Sequence, residues 1–468
     1  MAGRWCSLLM VFLVFALSAT AARTEEPVIA PKPAPLSAAT KTEEARKAKD
    51  KEQEDEYELQ RIDTLDQVER NYVKGITRRE LIEAAIDGVL RKLDPYSTYI
   101  TPDQLDSFRG NIESEFGGIG IQITLDQGRL AVLSPLPNSP AHRAGILAGD
   151  RIVEIDGRST EGVNLDQATE RLKGKLGSTV ALAVLHAGRA KPETITVTRG
   201  KIQLETVQGD HRKADGTWDF MHDSRKGIGY VCVTAFSRHT PEELRRAIES
   251  LKKQNVTGLI LDLRFNSGGL LRSAIEVSDL FVEKGRIVST SGRNVSDRVW
   301  EARAENTFSG FPMAVLVNRF SASASEIVAA CLQDHHRAVV MGERTWGKGS
   351  VQNVIPLEHG RSALKLTTAS YHRPSGKNIH RFPDSTEKDD WGVKPDEGYE
   401  VKLSPADTVT LLLGRRQRDI LEPPRDARTK PAGREKREKS ESRPVDRALE
   451  MAVEYLNSEL AKASENNL

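Results

Sequence analysis

Apolar residues recur at helical spacing in two early stretches of the chain. Leu65, Val68, Tyr72 and Val73 fall on one face, and Leu81, Ala84, Ala85, Val89 and Leu90 on another. Thr77-Arg78-Arg79-Glu80 reads as a capping box that opens the second helix, which ends near Asp94-Pro95. From about Ser114 to Arg199 the period changes to two. Ile119, Ile121 and Ile123 alternate with other residues, as do Leu130, Val132 and Ser134. Asp150 to Ile155 predicts a strand running into the Asp156-Gly157 turn. Asn164 to Leu172 predicts a short helix, and residues 180–185 and 194–198 two further strands. The stretch is a small β-rich domain.

From about Gly227 onward buried runs alternate with helical patterns. Residues 228–233, 259–263, 314–317 and 338–341 predict buried strands. Thr240-Pro241-Glu242-Glu243 opens a helix with proline at its first position, residues 274–281 form another, and 327–332 are the apolar part of a third. That alternation predicts an α/β domain with parallel pairing, and α+β character for the whole chain. The last helix puts Val445, Leu449, Ala452, Val453, Leu456 and Leu460 on one face, for docking on this chain or on a second copy. The chain then divides into a targeting segment (1–22), a disordered linker (23–55), an N-terminal helical region (56–113), the β-rich domain (114–200), the α/β core (201–413), a charged linker (414–444) and a C-terminal helix (445–468).

Composition narrows the partners. The 68 basic and 67 acidic residues leave a net charge of +1, which gives no basis for nucleic-acid binding. Arg4, the apolar run Leu8 to Leu17 and Ala19-Thr20-Ala21 form a signal-peptide pattern, so the expected location is periplasmic or secreted. The run is too short to span a bilayer, and no other segment approaches that length. A stable membrane span is therefore not expected, although peripheral membrane association is compatible with the chain. Cys232 and Cys331 lie in apolar runs and read as buried free thiols.

The candidate chemistry lies between Ser321 and Gln352. Ser321, Ser323 and Ser325 cluster at a helix start, and Ser323-Ala324-Ser325-Glu326 fits a capping box worth about 1 kcal/mol. A serine there also sits where free amides and the helix dipole favour a developing oxyanion. A lysine held neutral by burial can take its proton, and Lys348 follows about two dozen residues later. Gly342 to Lys348 matches the start of a phosphate-binding loop. Gly349 then stands where the metal-ligating Ser or Thr belongs, and an extended run replaces the helix, which removes the nucleotide reading. No Gly-x-Ser-x-Gly or His-Glu-x-x-His motif is present, and the adjacent His335 and His336 diverge on a helix; no metal or cofactor is expected. Arg264 to Gly269 is a strand-to-helix turn, ordinary or amide-presenting. Phe116-Gly117-Gly118-Ile119-Gly120 precedes an alternating strand and fits an amide nest for a terminal carboxylate.

Taken together, Leu93 to Tyr99, Phe116 to Gly120, Ser134 to Ala141, Ala144 to Ile146, Gly149-Asp150, Asp262 to Arg264 with Gly268-Gly269, Ser321 to Glu326, Gly347 to Gly349 with Gln352, and Tyr371 with Pro374 and Gly376 resemble the carboxyl-terminal processing proteases. These are serine–lysine peptidases carrying a PDZ domain. The resemblance implies a crotonase-like α/β protease core with an inserted PDZ-like domain and flanking helices. It implies Ser323 as nucleophile, Lys348 as general base, Glu326 and Gln352 as their support, and the amides of Gly268 and Ala324 as oxyanion donors. It implies that the PDZ domain binds protein or peptide substrates by free C-terminal tails through Phe116 to Gly120, with Lys173 where the family often has arginine. The flanking helices point to self-association, with which a homodimer is compatible, and do not set its stoichiometry. The alternative is a non-catalytic binding protein of the same fold.

Overall fold

A computed structural model of the protein describes residues 57, 60, 62–213, 215–421 and 446–465. The expected targeting segment, the whole of the first linker and the charged linker from 422 to 444 lie outside them. The chain divides into two compact units, residues 1–82 and 83–468. In the first, a helix covers 62–71, and the expected capping box forms: Thr77 N–H donates to Glu80 Oε2 at 2.7 Å and Glu80 N–H to Thr77 Oγ1 at 3.2 Å. Its apolar face is left in the open, with Val68, Tyr72 and Val73 exposed.

The second unit is built on a six-stranded sheet. Ile228–Val233, Gly258–Asp262, Met313–Val317 and Val339–Gly342 run parallel in that spatial order, close to the four predicted strands. Such strands are apolar throughout because both faces are covered. Helices Thr240–Lys253, Leu271–Asp279 and Ala324–Asp334 bury Leu244, Ile248, Leu251, Val277, Val328 and Leu332 in the core on one face. The C-terminal helix Arg447–Glu465 covers the other, packing Leu449, Ala452 and Leu456 with Ile228, Ile260, Leu316 and Met341. The last apolar face thus docks on this chain itself; Val445 lies outside the described residues. Cys232 and Cys331 are buried and free, and burial pushes the Cys331 thiol up to about 12.

A second, antiparallel sheet adds Gly285–Gly292, Val295–Ala302, Ser350–Leu357 and Ser362–His372, with Thr98–Ile100 on the last of these. The β-rich domain has its own core around Leu130, Ile152, Leu182 and Val184. In it the Asp156-Gly157 turn takes positive φ at both residues, as a tight hairpin requires.

Helix Pro405–Arg418 was not apparent in the apolar pattern, and it runs four residues past the expected start of the tether at 414. Its signal is the capping box of Ser404 and Asp407 with Pro405 at the first position. The helix carries Arg415 into the core, where Nη1 donates to Arg264 C=O at 3.0 Å and Nη2 to Asp262. Arg264, itself buried, bridges Asp262 at 2.7 Å and Asp446 at 2.7 Å. Beyond Arg415 the same segment reaches the β-rich domain: Gln122 Nε2 donates to Asp419 Oδ2 at 2.7 Å, and Leu421 N–H to Ser134 Oγ at 3.0 Å. Asp262→Ala leaves Arg264 with Asp446 as its one remaining carboxylate among the described residues and takes away the carboxylate that Arg415 pairs with. It is expected to cost about 3–5 kcal/mol, read as a fall in the urea midpoint.

Candidate active site

Three loops meet because three adjacent parallel strands end side by side, the usual place for a site in such sheets. Residues 263–269 follow Gly258–Asp262, residues 318–323 follow Met313–Val317, and residues 343–349 follow Val339–Gly342.

The three serines are not equivalent. Ser321 and Ser325 are fully buried, and their hydroxyls donate to Leu263 C=O at 2.9 Å and Asn266 C=O at 2.8 Å, which stitches the first two loops together. Ser323 is half-buried, with φ at 57°. Glu326 Oε2 accepts its N–H at 2.7 Å and the Glu326 amide faces Ser323 Oγ in return, so the expected capping box forms, although the Glu326 amide makes its 2.9 Å hydrogen bond to Ser323 C=O. The Ser323 hydroxyl proton itself is donated to no described residue.

Glu326 is fully buried and ties the loops to one another. Its Oε1 accepts from Thr345 Oγ1 at 2.5 Å and Gly347 N–H at 2.7 Å, and its Oε2 from Ser323 N–H and, at 2.9 Å, Lys348 N–H. Thr345 Oγ1 itself accepts Val393 N–H at 2.7 Å, so its proton faces the carboxylate. Burial pushes the Glu326 pKa up, and the four donors pull against it. Tyr371, also buried, makes a second tie: its hydroxyl donates to Lys348 C=O and lies 3.1 Å from Ser323 C=O. Glu326 therefore holds backbone, not the lysine ammonium. Thr345 and Tyr371 belong to the same frame, although their sequence positions gave them no role.

Lys348 Nζ lies 4.9 Å from the centroid of the Tyr96 ring, and among the described residues it makes no hydrogen bond to Ser323 Oγ. Burial lowers its pKa below the usual lysine value and Lys365 adds to the effect, while Glu326 and Asp94 oppose it. Tyr96 is delivered by a turn in which Asp94 Oδ1 accepts from the Tyr96 and Ser97 amides at 2.7 and 2.8 Å. Ser97 Oγ then accepts Thr367 N–H at 3.1 Å. The structure does not join Gln352 to either member of the pair; its Nε2 donates to Ser350 Oγ at 2.9 Å and Thr367 Oγ1 at 3.2 Å.

Of the two expected oxyanion donors, Ala324 N–H opens the helix and has no carbonyl a turn behind it to bond. Gly268 N–H already donates to Asn266 Oδ1 at 2.8 Å. The reason for glycine at 268 is contact: with φ at +106°, a Cβ there would fall 2.7 Å from Ala322 O and 2.8 Å from Ser323 Cβ. Gly268→Ala is expected to push Ser323 off its position and lower kcat by roughly 10²-fold, measured on a peptide substrate.

In the β-rich domain, Glu115–Gly118 pairs with Gly200–Gln203, and Ile121–Asp126 follows Gly120, whose φ is +76°. Neither the Ile119 nor the Gly120 amide donates to a described residue, while their carbonyls accept from Ala141 N–H at 2.9 Å and Leu136 N–H at 3.0 Å. Lys173 Nζ lies 5.3 Å from the Phe116 ring centroid, and Gly174 N–H donates to Gly117 C=O at 3.3 Å. The structure thus brings Phe116 to Gly120 and Lys173 together at the end of helix Leu165–Leu172. Arg199, which gave no sequence signal, closes that helix by donating to Leu172 C=O at 3.0 Å and Arg171 C=O at 2.9 Å.

Fold and site together define a serine peptidase core with a PDZ domain. Residues 227–398 match the model of peptidase family S41, residues 110–185 that of the PDZ domain, and residues 30–104 that of the N-terminal domain of the activating protease CtpB. A carboxy-terminal-processing protease of Bartonella bacilliformis is 37% identical over 374 residues, covering 76% of this chain and 81% of that one. The carboxy-terminal processing protease CtpA of Bacillus subtilis is 37% identical over 338 residues, covering 72% and 67%. Among solved structures, a photosystem II D1 C-terminal processing protease is 30% identical, with coverage of 73% and 92% and a TM-score of 0.39. The chain belongs to the carboxy-terminal processing proteases of peptidase family S41.

Proposed function

We propose that this protein is an exported endopeptidase that holds substrates by their C-terminal tails and cuts them with Ser323 and Lys348. One observation carries the reading. Among the described residues, only Ser323 of the three clustered serines donates its hydroxyl proton to no acceptor, and it stands beside a helix amide with no described partner and on the same carboxylate oxygen as the backbone of a desolvated lysine. Lys348 leaves the Tyr96 ring, and its neutral amine takes the Ser323 proton as Oγ attacks the peptide carbonyl. Ala324 N–H stabilises the oxyanion, joined by Gly268 N–H when substrate oxygen displaces Asn266 Oδ1. Collapse breaks the C–N bond, Lys348 returns the proton to the leaving amine, and an ester on Ser323 remains. Water then attacks the ester, giving a proton to Lys348, which passes it to Ser323 Oγ as the ester C–O bond breaks and the new carboxyl group leaves. Export is supported by the leader-like composition of residues 1–22.

The unbonded Ile119 and Gly120 amides support capture of a terminal carboxylate, while strand Ile121–Asp126 offers an edge to the tail. Amidating a substrate's C-terminus is expected to weaken it roughly 10- to 100-fold in KM, the value of charge-assisted hydrogen bonds. Equal cleavage of free and amidated tails would remove the nest from the account. Incubation with an unstructured, C-terminally tagged protein, beside the Ser323→Ala variant, separates the peptidase from a protein that only binds.

A further inference from the structure

We propose that His380 is a positioning residue for the lysine: its neutral imidazole holds the Gly349 backbone, and with it Lys348, and adds a second acid cut-off to the reaction. The inference rests on the reading of Lys348 as general base. Gly349 N–H donates to His380 Nδ1 at 3.2 Å. A backbone amide only donates, so Nδ1 must be bare and the proton must sit on Nε2. The contact is built on both sides. A Cβ at Gly349 would fall 2.6 Å from Asn378 Oδ1, 2.7 Å from His380 N and 2.9 Å from His380 Cβ. Asn378 Oδ1 in turn accepts His380 N–H at 2.8 Å. This packing is also the physical reason that glycine follows Lys348.

The imidazole ring is fixed between two aromatic edges. Phe382 lies 4.9 Å away at 86° and Tyr96 6.5 Å away at 69°, centroid to centroid. Tyr96 is the same ring that lies under Lys348 Nζ. Glu326 holds Lys348 N–H and Tyr371 holds Lys348 C=O, so His380 fixes the next amide in the same stretch of backbone. The groups around the imidazole are Asp94 and Tyr96 from the turn after helix Arg78–Leu93, Lys348 from the lysine loop, and Arg381 beside it in its own loop. Burial and the lysine charge disfavour the imidazolium, whereas Asp94 favours it; the balance keeps the pKa below the usual histidine value. Protonation at Nδ1 would turn the acceptor into a donor facing Gly349 N–H and place a second positive charge beside Lys348.

The two ionisations separate in the pH dependence of kcat/KM, measured with a substrate that does not titrate in the range. Deprotonated Lys348 is the active form, so the rate falls about tenfold for each unit below the lysine pKa. Protonation of His380 removes a second required form, so at lower pH the fall steepens to about a hundredfold per unit. In His380→Asn the amide Oδ1 takes the place of Nδ1 and can accept Gly349 N–H without titrating; the tenfold slope then continues. His380→Phe keeps a ring without an acceptor. It is expected to lower kcat about 10- to 100-fold at every pH with little change in KM, and His380→Asn to restore most of that loss. The imidazole titration followed by NMR in Ser323→Ala must coincide with the break in slope. A break that persists in His380→Asn, a wild-type profile without one, or an imidazole titrating elsewhere would overturn the proposal. A rate with no acid limb at all in His380→Asn would instead remove Lys348 as the base, and the inference with it.

Discussion

Lys348→Ala is expected to lower kcat on a peptide substrate by about 10⁴-fold or more and to leave the protein folded. Without the amine nothing near Ser323 takes its proton, since Glu326 Oε2 is occupied by two backbone amides and His380 Nδ1 by a third. Ser323→Ala is expected to match it, because in the proposed mechanism the two residues act in one step and their losses do not add. Binding of a free C-terminal tail should survive both changes, since Phe116 to Gly120 lie in a domain with its own core. The check is single-turnover cleavage beside tail-peptide binding by fluorescence anisotropy. Substantial turnover by the Lys348 variant would reassign the base.

Glu326→Gln is the second large effect, and it follows from counting donors. Both Glu326 oxygens face only donors: Thr345 Oγ1 and Gly347 N–H on one, Ser323 and Lys348 N–H on the other. An amide supplies one oxygen and one NH₂, so whichever way it turns, two buried donors meet another donor. Each costs about 1–3 kcal/mol, and the variant is expected to lose roughly 2–6 kcal/mol of stability. Because the strained groups include the backbones of Ser323 and Lys348, kcat should fall about 10²- to 10³-fold as well. Thermal unfolding and kcat on the same sample test this. A variant with wild-type Tm would show that the four contacts are not worth their desolvation.

The parallel strands were legible because residues such as Val315 and Ile260 are buried on both faces and so form unbroken apolar runs. Ser323 was legible only as one of three. What separates it is tertiary: the Leu263 and Asn266 carbonyls that occupy Ser321 and Ser325 come from about sixty residues earlier in the chain. Glu326 looked like a helix cap, and its four-way role needs the lysine loop to fold over it. Gly349 ruled out a phosphate loop by type, but its positive reason, the contact with Asn378 and His380, is visible only once those residues pack against it. Arg415 sat in a stretch that charge and proline content assigned to a tether; its partner Asp262 is over 150 residues away. Long-range pairing of buried charge leaves no local pattern, whereas the Ser404 capping box did and was readable.

The most direct test of the Ser323–Lys348 pair is the rate at which a fluorophosphonate modifies the protein across pH, with the labelled residue identified by mass spectrometry. The account predicts labelling at Ser323 alone. It predicts a rate that rises with pH through the Lys348 ionisation, below the usual lysine value, that falls more steeply at lower pH where His380 is protonated, and that collapses in Lys348→Ala. Label on another serine, or equally fast labelling of Ser323 without Lys348, would contradict it.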